Sequence, residues 1–372
     1  MPVEKWTLKL LWRAFLWTSL VLVLRKSYHG LAATHYVRKC WNTISPEAFS
    51  NSPAFGKFVE ELRRMDKPPA IFILNEYALP MTFNWLCNTA YMKNVHDRAV
   101  FVTLDATARD KLKQLWPNVK QFYFPNHCFK DPFTFGEGAY QALYSLRSNL
   151  ATALVEAGQS FWMMQQDTFW RANLFDLNLE NQNGFDLLFD QIGAYDHSLR
   201  AQWINGANFY VRPNETAKQY FEFVGRTLRW LYAPDMGLMI YQCGTNSSRC
   251  AYMPHSDCSI VNCWEWMFTD RTDPPYLMQL DCETDNGGKI GQMKKLGFYF
   301  LNQDGRTCNR SAVELAQRSM EQGFVQYKGK SWGRFQFWIY WYIADLLLSI
   351  PLLGPLWKPY LPMWGFYFLI TV

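Results

Sequence analysis

The chain has 372 residues, 49% of them hydrophobic and 17% aromatic. That is ample for the core of one large domain or two ordinary ones. A net charge of +5 without any Lys/Arg-rich block excludes a nucleic-acid-binding design and suits, weakly, an anionic small substrate or a membrane surface.

Leu8 to Leu24 reads LKLLWRAFLWTSLVLVL, with an uninterrupted apolar run from Ala14. A spanning helix needs about 20 residues, and Lys9 and Arg13 can snorkel from its first turns, so the span can begin near Trp6. Lys5, Lys9 and Arg13 before it and Arg25 and Lys26 after it leave the positive-inside rule undecided. A signal anchor is expected over residues 1–26. The competing reading is a cleaved signal peptide, with Gly30 and Ala32 as small residues near a cut. Residues 27–66 are polar and Ser/Pro-punctuated and read as a stem, with a short amphipathic helix near Phe58–Met65.

From Lys67-Pro68-Pro69 onward, apolar runs alternate with helical patterns. Strands are expected at 70–74, 99–104, 120–124, 161–164, 185–189 and 207–211. Helices are expected at 80–91, 108–116, 137–157, with Gly158 as its stop, and 216–230. This alternation predicts an α/β fold, a mostly parallel sheet with helices on both faces. Ligands in such sheets bind beyond the carboxyl ends of the strands, and Asn75, Asp105, Asp167 and Asp190 all fall at that edge. Any one of them alone would pass for a turn or cap residue.

Six of the nine cysteines lie between Cys243 and Cys308 without a C-x-x-C pair, which favours disulfides over structural zinc and implies an oxidising compartment. The odd count leaves at least one cysteine free or paired with another chain. Sequons at Asn214, Asn246 and Asn309 agree with a lumenal body. Near the end, Phe335 to Leu353 is apolar and aromatic but carries Asp345, and Trp364 to Phe368 is aromatic again. A second span, an interfacial hairpin and a helix packed on the body compete there, and membrane embedding or docking is the expectation.

No P-loop and no G-x-S-x-G occurs, Gly136-Glu137-Gly138 lacks the third glycine of a dinucleotide fingerprint, and the six histidines form no H-x-x-H. His255 and Asp257 could pair as acid and base or lie in a solvated loop. The strand end Gln165-Gln166-Asp167 is more informative. If the strand stays regular, Gln165 and Asp167 share one side and could both reach a hard divalent cation, Gln165 through a neutral carbonyl. A cation at that place would balance the charge of a departing diphosphate.

Several segments carry a resemblance together. They are Ile73-Leu74-Asn75, Val102-Thr103-Leu104-Asp105, Gly138-Ala139-Tyr140 with Arg147, Gln165 to Trp170, Asn205 to Pro213, Asp235, and Gly288-Lys289 through Gly297. Their order and spacing resemble the nucleotide-diphospho-sugar transferase domain of GT-A glycosyltransferases, from about Ile71 to Gly305. The resemblance implies a Rossmann-like GT-A domain over 67–312, followed by a hydrophobic C-terminal segment, 313–372. It implies transfer of a hexose or pentose from a nucleotide-diphosphate sugar to a glycan or glycoprotein, with retention of configuration. Asn75, Asp105, Arg147, Gln165, Asp167, Asn205 and Gly206 are implied to bind the donor, Asp190 and Asp235 to serve catalysis, and Asp167 with Gln165 to hold Mn²⁺ or Mg²⁺.

Three departures stand out. Gln165 replaces the first Asp of the D-x-D motif, Met236 replaces the Gln that commonly follows Asp235, and Gln279 and Asp281 stand near the place where a late His often completes the metal site. These departures bear on the metal and on activity; the anchor, the sequons and the cysteines make the expected protein a single-pass type II enzyme of the Golgi or endoplasmic reticulum membrane. The alternative is an inactive relative that binds without turnover.

Overall fold

The computed structural model describes residues 2–192, 203–245, 248–253, 260–262, 274–280, 288–322, 339, 342–343 and 345–357. The chain opens with one helix, α1 (Pro2–Ile44), of 43 residues. At 1.5 Å per residue it is about 65 Å long, twice the ~30 Å of a bilayer core. Its first part is long and apolar enough to cross a membrane and is not buried among the described residues, with Trp12, Phe15, Trp17 and Val21 exposed. Its second part behaves differently: Ala33, Val37, Cys40 and Ile44 are buried. Their spacing of four, three and four residues is one helix face, and that face lies on the body.

The segment expected as a stem is thus folded onto the domain from Ala33 onward. Two short helices follow, α2 (Pro46–Ser50) and α3 (Pro53–Arg63). Their Phe49 and Phe58 stack on Phe124 and Phe122 at ring-centroid distances of 4.3 and 4.4 Å. A Cys40–Cys128 disulfide fastens the end of α1 to the sheet layer. The polar punctuation was visible in sequence, whereas the sparse apolar stripe needed a partner surface to become meaningful.

The six expected strands and four expected helices are present, joined by further short strands and helices that the sequence pattern did not predict, and all follow in chain order. They are β1 (Ala70–Leu74), α4 (Leu79–Thr89), α5 (Val95–Arg98), β2 (Ala99–Thr103), α6 (Ala106–Leu115), β3 (Lys120–Tyr123), α7 (Gly138–Glu156), β4 (Phe161–Met163), β5 (Thr168–Trp170), β6 (Leu187–Ile192), β7 (Trp203–Val211), α8 (Glu215–Leu228), α9 (Asp235–Thr245), β8 (Cys250–Tyr252), β9 (Ile260–Asn262) and β10 (Leu277–Gln279). Two late helices follow, Gly288–Leu296 and Arg310–Glu321. The central sheet has seven strands in the order β3-β2-β1-β4-β7-β6-β8. Every strand but β7 runs the same way, and β7 is antiparallel to both β4 and β6. A second sheet, β5-β10-β9, flanks it.

One core lies between the sheet and α1–α3, α7 and α8; the other lies under α4, α6 and the late helices. The fold is mixed α/β with a mostly parallel sheet and helices on both faces, as predicted. Strand order reverses between β1 and β4, the switch point at which such sheets open a crevice.

Three disulfides form among the described residues: Cys40–Cys128, Cys87–Cys308 and Cys243–Cys250. Among the described cysteines of the late cluster, Cys243 pairs with Cys250, and Cys308 folds back onto α4 to pair with Cys87. Cys258, Cys263 and Cys282, the sequon Asn246, and His255 and Asp257 lie outside the described residues. The other two sequon asparagines are helix N-caps, Asn214 accepting from the Ala217 amide and Asn309 from the Ala312 amide.

Candidate active site

The carboxyl edge of the sheet gathers the predicted residues in two groups, although Asp190, expected just past a strand end, lies within β6, which runs on to Ile192. In the first, Asp105 follows β2 and caps α6: its Oδ1 accepts from the Ala108 amide and its Oδ2 from the Glu76 amide, each at 2.7 Å. Asn75, at the end of β1, is buried and donates to the Phe129 carbonyl at 3.1 Å. Both residues therefore tie neighbouring loops together at the strand ends.

The second group surrounds Gln165-Gln166-Asp167. The expectation that Gln165 and Asp167 share one side of a regular strand does not hold, because β4 closes at Met163. The loop beyond it is held from several sides. The Gln165 amide donates to Asn208 Oδ1 at 3.2 Å, Gln166 Nε2 to the Ile73 carbonyl at 2.9 Å, and the Leu280 amide to the Asp167 carbonyl at 2.8 Å. Gln165 then turns to Gln279, accepting from its Nε2 at 3.2 Å. Gln279 Oε1 in turn accepts from Asn208 Nδ2 at 2.9 Å. Asp167 turns the other way and forms an ion pair with Lys289, in the first turn of the helix Gly288–Leu296.

Below this layer sit the two carboxylates expected to serve catalysis. Asp190 is 1% exposed and lies where the β6–β7 register shifts. Its Oδ1 accepts from the Gly206 amide at 2.8 Å and its Oδ2 from the Asn208 amide at 3.0 Å. Burial pushes its pKa up to about 7, and those amides pull against the rise.

Asp235, 3% exposed, opens α9 and pairs with Arg147 Nη1 of α7 at 3.1 Å. Burial raises its pKa to about 6, and the guanidinium opposes the rise. Arg147 Nη2 also donates to the carbonyls of Gly206 and Ala207. Gly206 itself has φ +71°, and a Cβ there would stand 3.1 Å from Met236 Cβ, so the glycine lets β7 pass the start of α9. Asp190, Asp235 and Arg147 form an internal brace that aims β7 and the Gln165 loop, and Asn205 sits half-buried on the same strand end.

Asn208, Gln279 and Lys289 complete this constellation and were not singled out from sequence as site residues. Asn208 stands inside the quoted Asn205–Pro213 segment and Lys289 inside Gly288-Lys289, so the signal was present as motif but not as role. Tyr140 of α7 lies near them, its hydroxyl pKa raised by burial and by the charges of Asp167 and Asp235.

The same geometry bears on the implied cation. Among the described residues no three His, Cys, Asp or Glu side chains gather. The single carboxylate at this strand end, Asp167, already faces an ammonium, and the Gln165 carbonyl oxygen is engaged by Gln279. A hard divalent ion prefers several oxygen ligands, so this donor set does not fit Mn²⁺ or Mg²⁺. Asp281 lies outside the described residues.

The model of the family described as nucleotide-diphospho-sugar transferase matches residues 94–293, more than half of the chain and including Asp105, Asp167 and Lys289. The chain belongs to the nucleotide-diphospho-sugar transferase family. No curated protein matches it by sequence.

Solved structures resemble this transferase domain at low identity. An active-site mutant of LgtC is 11% identical, covering 64% of this chain and 100% of its own, with a TM-score of 0.40. Mouse xyloside xylosyltransferase 1 is 10% identical over 59% of this chain and 99% of its own, also at 0.40. A mannosyltransferase of Pyrobaculum calidifontis, in complex with GDP-Man and Mn²⁺, is 8% identical over 86% and 88%, at 0.34. Likeness at this level carries no argument about substrate.

Proposed function

We propose that this family member moves a hexose or pentose from a nucleotide-diphosphate donor to a glycan or glycoprotein acceptor in the secretory pathway, with retention of configuration. A single-pass type II anchor in the Golgi or endoplasmic reticulum membrane would leave the domain lumenal. The observation that carries the reading is the Asp167–Lys289 pair at the carboxyl edge of the sheet, beside the strand-order switch, in a chain of this family.

When the glycosidic bond breaks, its electrons leave with the diphosphate, and the acceptor oxygen bonds to the anomeric carbon and gives up its proton to an oxygen of that departing diphosphate. Lys289 supplies a cation at the place where that negative charge grows. Asp167 holds the ammonium in position until the diphosphate competes for it. Gln165 and Asn205 offer amide groups to the sugar, Asn208, buried and engaged by the Gln165 amide and Gln279, holds that loop in place, and Asn75 and Asp105 frame the nucleotide end. Asp190 and Asp235 act from beneath as positioning groups. No step of this scheme runs through a metal, since the described side chains do not build a site for one.

A second reading, a lumenal protein that binds nucleotide sugars without turnover, is favoured by the neutral Gln165 and by Met236 after Asp235. Thermal shift with a panel of nucleotide sugars, followed by donor hydrolysis and transfer assays with Mn²⁺ and with chelator, separates the two. A ligand at a hundred times its Kd stabilises by about 2.7 kcal/mol. Stabilisation with turnover supports the enzyme, and stabilisation without turnover supports the binding protein. If no nucleotide sugar stabilises the fold, or if Lys289→Ala and Asp167→Ala bind donor as wild type does, the site assignment is wrong.

A further inference from the structure

The apolar run of α1 ends at Leu24, and Arg25 and Lys26 follow. The helix does not break there; it continues to Ile44. Given the reading that its first part spans a bilayer, the helix rise fixes the height of everything attached to it. Gly30 stands about 9 Å beyond Leu24 along the axis, within or just above a headgroup layer roughly 5–8 Å thick.

The body meets α1 at that height. Tyr232, in the turn between α8 and α9, packs on Gly30: a Cβ added there would lie 3.2 Å from Tyr232 Cβ. The Lys26 ammonium sits 5.5 Å from the centre of the Tyr232 ring. The Tyr232 hydroxyl also donates to the Gly136 carbonyl at 2.7 Å, so the turn is tied to the loop before α7 as well. Next to it Leu231 is 39% exposed, and on α1 Tyr28 and Leu31, three residues apart on one face, are 72% and 68% exposed. Apolar and aromatic side chains beside Arg25 and Lys26 have the composition of a membrane–water boundary, where rings lie in the headgroups and cations meet phosphate.

We infer that the transferase domain rests on the lipid headgroup layer through the Leu231-Tyr232 turn together with Tyr28 and Leu31 of α1. The contact has a consequence for the site. Asp235 is three residues from Tyr232, at most about 11 Å along the chain, so the brace of the candidate site stands within roughly 25 Å of the hydrocarbon edge. Without a flexible spacer the site keeps that height, within reach of an acceptor carried close to the membrane surface.

The test uses the full chain reconstituted in phosphatidylcholine vesicles, with an environment-sensitive fluorescent amino acid placed singly at Leu231, Tyr28, Leu16 or Leu315. Leu16 reads the anchor. Leu315, exposed on the helix Arg310–Glu321 over the other core, reads the far side of the domain. The expected result is blue-shifted emission at Leu231 and Tyr28, quenched by headgroup-borne quenchers, with deep acyl quenchers acting only at Leu16 and none acting at Leu315. Solvent-like emission at Leu231 and Tyr28 while Leu16 is quenched from the acyl region overturns the docking and leaves the anchor standing. Solvent-like emission at Leu16 overturns both, and leaves the donor-binding assignment to stand or fall on its own assay.

Discussion

Replacing Arg147 by Met would test whether the brace beneath the site has the energetic role its geometry assigns. The guanidinium is buried, pairs with Asp235 at 3.1 Å and donates to two strand carbonyls. Met fills similar volume but leaves a carboxyl with raised pKa facing no cation. Removing one partner of a buried pair costs about 3–5 kcal/mol. A body of roughly 300 residues unfolds with an entropy near 0.6 kcal/mol per kelvin, so the loss amounts to about 5–8 °C in Tm.

The assay is thermal unfolding at pH 7.5 and pH 5, where the neutral acid is cheaper to bury. The deficit of Arg147→Met is expected to shrink at the lower pH, because its Asp235 is protonated there. Adding Asp235→Asn in the same background is expected to recover about 2 kcal/mol, since an amide costs less to bury than an unpaired charge. A deficit under about 1 kcal/mol, or a double variant no more stable than the single one at pH 7.5, refutes the brace.

Two further outcomes follow from the same region. Asp190 holds a proton in the folded protein up to about pH 7 but releases it near pH 4 when unfolded, so its contribution is complete below pH 4 and is lost as pH rises to 7, by roughly 4 kcal/mol. Asp190→Asn should flatten that part of the stability–pH curve, and an unchanged slope in urea titrations would contradict the burial argument. Gly206→Ala places a side chain at φ +71° against Met236 and should cost at least ~1–2 kcal/mol while weakening donor binding, because the start of α9 and Asp235 must move; a variant with wild-type Tm and donor affinity would show that the close approach is dispensable.

The sequence by itself carried most of the layer pattern. Apolar runs such as Ala70–Leu74 and Ala99–Thr103 are buried on both faces, so their composition identifies them whatever their neighbours are. Asp105 and the Gln165–Asp167 loop were legible for a related reason, since polar residues at the ends of such runs must lie at the sheet edge. Three matters depended on distances between parts remote in the chain. The stripe Ala33, Val37, Cys40 and Ile44 is weak in a polar segment, and only α7 and the sheet layer give it a surface to cover. The reversal of β7, and with it the burial of Asp190 against two of its amides, comes from strand pairing, which composition does not encode. Asp167 reads in sequence as half of a metal-binding pair; folding places Lys289, 122 residues away, against it and turns Gln165 toward Gln279, because which charge meets a carboxylate is decided by packing of the late helix and not by the motif around it.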